Sequence, residues 1–150
     1  MTSQPPRSPA QRKRDTLARL GTDIDAWVAT ADASGTAHLV PLSFYWDGTA
    51  LTVATPESSP TGRNLRASGR ARVALGPTRD VVLIDGSVES FTLETVPGDL
   101  AAAFAAKCWD ARASTPRCGF FRITPQRVQA WREENELAGR DLMRDGGWLA

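Results

Sequence analysis

Closely spaced hairpin turns constrain the fold of this chain more than any other feature of its sequence. The sequences DASG at residues 32–35 and DG at residues 47–48 suit tight turns, and each separates segments rich in β-branched and aromatic residues. The segment between them, residues 36–46, reads as one strand in which successive side chains lie on opposite faces. Pro41 has no backbone N–H to donate, so this strand is expected at a sheet edge or beside a bulge.

Some six short strands account for most of the chain. Besides residues 36–46, strands are predicted at 27–31, 51–55, 71–76 and 81–94, and strand-like segments broken by Pro125 at 120–124 and 127–132. Gly86 predicts a bulge or a close backbone approach. Helices are predicted at residues 8–20 and 95–108, with a short one between the third and fourth strands. Because βαβ alternation is lacking, we predict a mainly β fold with flanking helices, an antiparallel barrel rather than a doubly wound sheet.

Length and composition indicate one globular domain in a chain of 150 residues. We expect a disordered, Pro/Ser-rich tail at residues 1–9, the barrel at 10–132 and a partly helical C-terminal tail at 133–150. With 18 basic and 17 acidic residues, the charge gives no support for a nucleic-acid or membrane partner. The sequence shows neither a signal peptide nor an 18-residue apolar run, so a cytoplasmic location is expected.

The sequence offers no recognisable catalytic apparatus. His38 is the single histidine, so no Ser-His-Asp, Cys-His or metalloprotease arrangement can be assembled. Cys108 and Cys118 have neither CxxC nor zinc-ligand spacing, so no metal site is expected and both are interpreted as reduced thiols. The protein is therefore either not an enzyme, or its chemistry belongs to a cofactor that the chain binds and orients.

The segment 51–65, LTVATPESSPTGRNL, is the best candidate for a binding site. A predicted strand ends in a loop with Ser58, Ser59 and Thr61, and a short helical pattern then opens with Arg63 and Asn64. Hydroxyls, a guanidinium and free amides at a helix N-terminus can hold a phosphate, because the unpaired N–H groups and the helix dipole both favour an anion. The alternative is that these hydroxyls only cap the helix.

The arginine-rich run RNLRASGRAR at residues 63–72 allows two interpretations. Four arginines near the aromatic residues Phe44, Tyr45 and Trp46 could form an RNA-binding surface on a small barrel. The same arginines could instead lie on a solvated helix face.

The order of the elements resembles a known family. The hairpin of residues 25–56, the Ser/Thr loop with RNL, and the strands RVALG and VVLIDGSVE resemble the split β-barrel flavin-binding family typified by pyridoxamine 5′-phosphate oxidase, most closely its actinobacterial branch that uses FMN or the deazaflavin F420. The resemblance covers roughly residues 25–132. It implies a six-stranded antiparallel split β-barrel of Greek-key type, and a homodimer with cofactor at the subunit interface.

The resemblance also assigns residues by position. The strand segment that lines the isoalloxazine ring, and at its first residue often contacts phosphate, corresponds to His38, Leu39, Val40 and Pro41. The residues that stand where the family binds the cofactor tail are Thr55, Ser58, Ser59, Thr61, Arg63 and Asn64. Members commonly have a lysine at the position of Thr61, so phosphate binding here would depend on Arg63 and hydroxyls. The C-terminal region lacks the substrate-binding Arg/His motif of the oxidase proper, which argues against pyridoxamine phosphate as substrate.

The leading hypothesis is therefore a homodimeric oxidoreductase that binds FMN, or alternatively F420, and transfers hydride to or from a small molecule. One alternative is a non-catalytic flavin-binding protein on the same fold. The other is a barrel-type RNA binder that uses the arginine run.

Overall fold

A computed structural model describes residues 4–150 as three α-helices and nine strands. The helices are α1 (Pro9–Thr22), α2 (Pro60–Ser68) and α3 (Gly98–Lys107). The strands are β1 (Asp25–Ala31), β2 (Ala37–Ser43), β3 (Tyr45–Trp46), β4 (Leu51–Pro56), β5 (Arg70–Leu75), β6 (Val81–Phe91), β7 (Cys118–Trp131), β8 (Asp141–Arg144) and β9 (Gly147–Trp148). Within this described part of the chain, no helix is both long and apolar enough to cross a membrane.

All strand pairs are antiparallel, and the main path through the sheet runs β2-β1-β5-β6-β7-β4-β3. The path is of Greek-key type, because β5, β6 and β7 are consecutive neighbours and β4 lies beside β7. The split-barrel fold predicted from the sequence is confirmed. The main path has seven strands rather than the expected six, and β8 and β9 extend the sheet beyond β7.

The extra strand arises at Phe44, where the predicted strand 36–46 is broken in two. β2 pairs with β1 at one end of the sheet, whereas β3 pairs with β4 at the other end. Phe44 lies between them, fully buried, and its backbone N–H donates to the Ile24 carbonyl at 3.1 Å. The chain therefore passes from one edge of the sheet to the other at a single buried aromatic residue. The edge position predicted from Pro41 is confirmed, because β2 has β1 as its partner and ends the path.

The two strand-like segments on either side of Pro125 form one continuous strand, β7. The β6–β7 register slips by one residue at this point, because Asp85 lies opposite Arg127 and Gly86 lies opposite Pro125. The bulge accommodates the proline, which has no N–H for the ladder. A Cβ at Gly86 would lie 2.5 Å from the Ile123 side chain, so both the predicted bulge and the predicted close approach are present.

Two apolar clusters stabilise the fold. The larger fills the inner side of the sheet, where Leu20 of α1 and Leu65 of α2 pack against strand residues such as Val28 and Ile84. The smaller lies under α3, where Phe104 contacts Phe120 edge to face. Ser8, the first residue of the predicted helix, is the N-cap of α1, since its hydroxyl accepts from the Gln11 N–H at 3.1 Å. Both cysteines are free, with Cys118 buried and Cys108 half-buried.

The two ends of the chain differ from the sequence expectation. Residues 133–150, predicted to be partly helical, are helical only in a 3₁₀ turn at Glu134–Glu136, and the β8–β9 hairpin follows it. The expected disordered tail at residues 1–9 lies partly outside the described residues, at 1–3. Of the rest, Pro9 begins α1, and Arg7 donates three hydrogen bonds of 2.8–2.9 Å to the Glu136 carboxylate. An ion pair between segments distant in sequence, which no local pattern reveals, fixes both ends.

Candidate functional site

The site predicted from the sequence lies where β4 ends and α2 begins. The helix starts at Pro60, three residues before the predicted start, and Ser59 is its N-cap. The Ser59 hydroxyl accepts from the Gly62 N–H at 3.0 Å, donates to the Pro56 carbonyl at 2.8 Å, and lies 3.4 Å from the Thr55 hydroxyl. Capping therefore occupies Ser59, as the alternative interpretation of this loop proposed.

Thr61 and Ser58 keep hydrogen-bonding groups available beside this cap. Thr61 lies in the first turn of α2 and is 3% exposed. Among the residues that the structure describes, its backbone N–H and its hydroxyl have no partner, and neither does the Ser58 N–H. Donors at the start of a helix that have no partner in the chain are positioned to bind an anion from outside it.

Arg63 and Asn64 behave differently from each other. The exposed Arg63 guanidinium donates to the Ser58 carbonyl, so it reaches back to the Ser/Thr loop. The Asn64 side chain instead points to the sheet, where its amide donates to the Thr30 hydroxyl at 3.1 Å. Thr30 is the register partner of His38 on β2, so this hydrogen bond links the α2 residues to the other half of the predicted site.

The four β2 residues divide between the two faces of the strand. His38 and Val40 are partly buried and lie on the face shared with Thr30 and Val28. Leu39 and Pro41 lie on the outward face and are exposed. Their four side chains therefore do not line one surface of a single subunit.

Two residues of the site had not been singled out from the sequence. Thr30 orients Asn64, but its position in a buried strand gives no indication of this role. Gly62 lets α2 pack closely on the loop, because a Cβ there would lie 2.4 Å from the Pro56 carbonyl oxygen. A glycine in a Ser/Thr loop is a signal for close packing that sequence reasoning could have used.

The arginine run does not form one free basic surface. Arg66 pairs with Glu57 at 3.1 Å, and Arg72 pairs with Asp85 at 2.5 Å. Arg63 faces the Ser/Thr loop. The side chain of Arg70 forms no hydrogen bond or ion pair with the described residues. Neutralised arginines favour the solvated-face interpretation over an RNA-binding surface.

The arrangement suits the binding of an anion better than acid–base chemistry. It brings amide and hydroxyl donors at the start of a helix together with one permanent cation, which are the groups that hold phosphate in proteins. The residues described here include no cluster of three His, Cys, Asp or Glu side chains that could hold a metal ion.

Solved structures with a similar fold include an F420 reductase, an FAD-binding protein and a heme-binding protein. An F420 reductase shares 18% identity with a TM-score of 0.59, over 74% of this chain and 93% of the other. An FAD-binding protein from Mesorhizobium loti shares 19% identity with a TM-score of 0.60, over 77% and 89% of the two chains. A heme-binding protein from Mycobacterium smegmatis shares 22% identity with a TM-score of 0.63, over 93% of this chain and 58% of the other.

The structural similarity to these proteins establishes the fold, and a match to a sequence profile establishes the family. No curated protein matches the chain. The sequence profile described as pyridoxamine 5′-phosphate oxidase matches residues 22–132, which include every predicted site residue and all of the main sheet path. The chain therefore belongs to the pyridoxamine 5′-phosphate oxidase family.

Proposed function

We propose that this protein is a homodimeric oxidoreductase that binds FMN, or alternatively F420, and transfers hydride to or from a small molecule. Membership of the pyridoxamine 5′-phosphate oxidase family supports a flavin or deazaflavin as cofactor. The F420 reductase and the FAD-binding protein with the same fold support the same class.

The observation that carries the proposal is the set of unused donors at the start of α2. The Thr61 N–H, the Thr61 hydroxyl and the Ser58 N–H have no partner among the described residues, and the Arg63 guanidinium lies at the same loop. FMN and F420 both carry a phosphate, which would accept hydrogen bonds from these groups. A lysine at position 61 is then unnecessary, because Thr61 supplies two neutral donors and Arg63 supplies the charge.

The residues of the chain would bind and orient the cofactor rather than act on the substrate. When bound, a flavin or deazaflavin supplies the hydride transfer. The α2 loop would hold the anionic tail, and the edge strand β2 at residues 38–41 would support the ring. Asn64 keeps these two parts of the site in register through its hydrogen bond to Thr30.

The proposed dimer rests on the outward face of β1 and β2. Trp27 and Leu39 are 49% and 59% exposed, and Pro41 lies opposite Trp27 on the same face. An apolar sheet face of this kind is typical of an interaction surface, and a second copy of the chain is the partner that the family implies.

Titration of the purified protein with FMN and with F420 tests the proposal. Replacing Arg63 with alanine removes a charge-assisted hydrogen bond worth about 1.5–3 kcal/mol, so affinity for the bound cofactor should fall roughly ten- to a hundredfold. Arg70→Ala is the control, because Arg70 belongs to the same run but lies at the start of β5, beyond α2. It should bind the cofactor like the parent protein.

Each contrary result has a distinct meaning. If Arg63→Ala binds as tightly as the parent, the phosphate site does not lie at this loop. If neither cofactor binds but heme does, the flavin proposal is wrong. If FMN or F420 binds and no reductant or substrate is turned over, the protein is a non-catalytic flavin-binding protein.

A further inference from the structure

A groove on the outer side of the sheet, between α3 and strands β3, β6 and β7, belongs to no part of the proposed cofactor site. Its volume is about 470 Å³, which lies within the usual range for small-molecule sites. The residues that line it include Tyr45, Asp47, Glu89, Phe91, Asp99 and Arg122. None of them is a residue predicted to contact the cofactor.

One end of the groove is a fixed, internally neutral ion pair. Arg122 donates to one oxygen of Asp47 from Nε at 3.0 Å and from Nη2 at 2.8 Å. The other oxygen of Asp47 accepts from the backbone N–H groups of Thr49 and Ala50 at 2.8 and 2.9 Å. Both carboxylate oxygens of Asp47 therefore already accept hydrogen bonds, and the turn that follows Asp47 fixes the position of the Asp47–Arg122 ion pair.

Glu89 and Asp99 add two negative charges to the groove, and the Asp99 carboxylate accepts from the Leu100 N–H at 3.0 Å in the first turn of α3. Glu89 lies directly opposite Arg122 in the β6–β7 register, but Arg122 is committed to Asp47. Neither Glu89 nor Asp99 forms an ion pair within residues 4–150. Because the charges of Asp47 and Arg122 cancel each other, the carboxylates of Glu89 and Asp99 give the groove a net negative charge that favours a cationic ligand.

The opposite wall is apolar and partly aromatic. Phe91, Leu100, Ala103 and the ring of Tyr45 border the same space. Beneath them, Thr52 pairs in register with both Tyr45 and Arg122, so its side chain lies on their face of the sheet. Thr52 is 0% exposed and its hydroxyl has no hydrogen-bond partner in the described part of the chain.

We propose that this groove binds an organic ammonium ion with an apolar, preferably aromatic, body. The ammonium group lies at Glu89 and Asp99, and the body packs on Phe91 and Leu100, with Tyr45 available for a cation–π contact. A metal ion suits the site poorly, because no three carboxylate, His or Cys groups of the described chain converge on one point. The inference does not depend on the cofactor proposal.

The test is an NMR titration of the full chain with 2-phenylethylammonium, with 3-phenylpropionate as a probe of similar size and opposite charge. We expect the ammonium compound to bind saturably, with shifts centred on Glu89, Phe91 and Leu100, and the carboxylate to bind at least several-fold more weakly. Exposed ion pairs contribute little to affinity, so Glu89→Gln and Asp99→Asn should each weaken binding by roughly two- to fivefold. Added salt should weaken binding as well.

The matched control is Glu134→Gln, an exposed carboxylate outside the groove, which should leave binding unchanged. Glu89 and Asp99 are also exposed, so their variants are expected to fold, and circular dichroism verifies this. Absence of saturable binding overturns the proposal. Equal binding of the two probes, or unchanged affinity in the Glu89→Gln, Asp99→Asn double variant, overturns it too.

Discussion

At the scale of single residues, one side chain can stabilise the fold while a nearby side chain of the same type stays available to a ligand. Ser59 and Thr61 are both hydroxyl residues of the same loop, and their sequence context does not separate them. In the structure the Ser59 hydroxyl makes two hydrogen bonds to the chain, whereas the Thr61 hydroxyl makes none with the described residues. The division of roles follows from the helix start at Pro60, which makes Ser59 the N-cap.

We predict that Ser59→Ala lowers the free energy of unfolding by about 1 kcal/mol, because it removes the N-cap of α2. Ser58→Ala, in the same loop, should change stability much less, since the exposed Ser58 side chain makes no hydrogen bond to the described residues. Urea unfolding of the two variants measures the difference. Equal stability of Ser59→Ala and the parent would contradict the capping role.

At the scale of helices and strands, local pattern predicts the elements but not their ends or partners. Turn sequences and alternation locate most strands, and Ser8 marks the start of α1, whereas α2 begins at Pro60, three residues before the predicted start. Local pattern does not reveal that Phe44 divides one predicted strand between two edges of the sheet, because the driving force is burial against distant segments. The β8–β9 hairpin was missed for a related reason, since its pairing with β7 is a tertiary contact.

The bulge in β6 and β7 leads to a second stability prediction. A methyl group at Gly86 would lie 2.5 Å from the Ile123 side chain and 3.0 Å from the Thr124 carbonyl, so Gly86→Ala must displace the sheet. Overpacking of this kind costs about 1–3 kcal/mol. Gly98→Ala is the control, because a Cβ at the start of α3 meets no atom within 4 Å. Thermal unfolding should show a lower Tm than that of the parent protein for Gly86→Ala, but not for Gly98→Ala.

At the scale of the whole molecule, charged groups join the two ends of the chain. Glu136 is 2% exposed and accepts four hydrogen bonds, three from Arg7 and one from the Arg132 N–H. The hydrogen bonds from Arg7 are the main reason that the pKa of Glu136 falls from 4.5 to about 2. Arg12 lies beside this pair, also buried, and donates to four backbone carbonyls.

The depressed pKa of Glu136 predicts acid sensitivity. A carboxylate whose pKa is lower in the folded state stabilises the fold fully above its unfolded pKa, and this contribution is lost as the pH falls from about 5 towards 2. We expect Glu136→Gln to lower the free energy of unfolding by about 3 kcal/mol at pH 7, and by much less at pH 3. Denaturant unfolding at both pH values measures this, with the exposed Glu134→Gln as control. An equal loss at both pH values would contradict the assignment.

The last prediction concerns the assembly. If the apolar outward face of β1 and β2 joins two copies of the chain, light scattering should give twice the 16.2 kDa of one chain at micromolar concentration. Trp27→Glu or Leu39→Glu places a charge in that interface, and desolvation of an unpaired charge should shift the population to monomer. Leu149→Glu is the matched control, because Leu149 is 53% exposed and follows β9, which pairs with β8 rather than with β1 or β2. Cofactor affinity measured on Trp27→Glu links the two proposals, because Trp27 is not a predicted cofactor residue. A groove shared between subunits requires that this variant, when monomeric, binds FMN or F420 more weakly. A monomeric parent protein, or dimers that persist in both the Trp27 and Leu39 variants, would exclude this face as the interface.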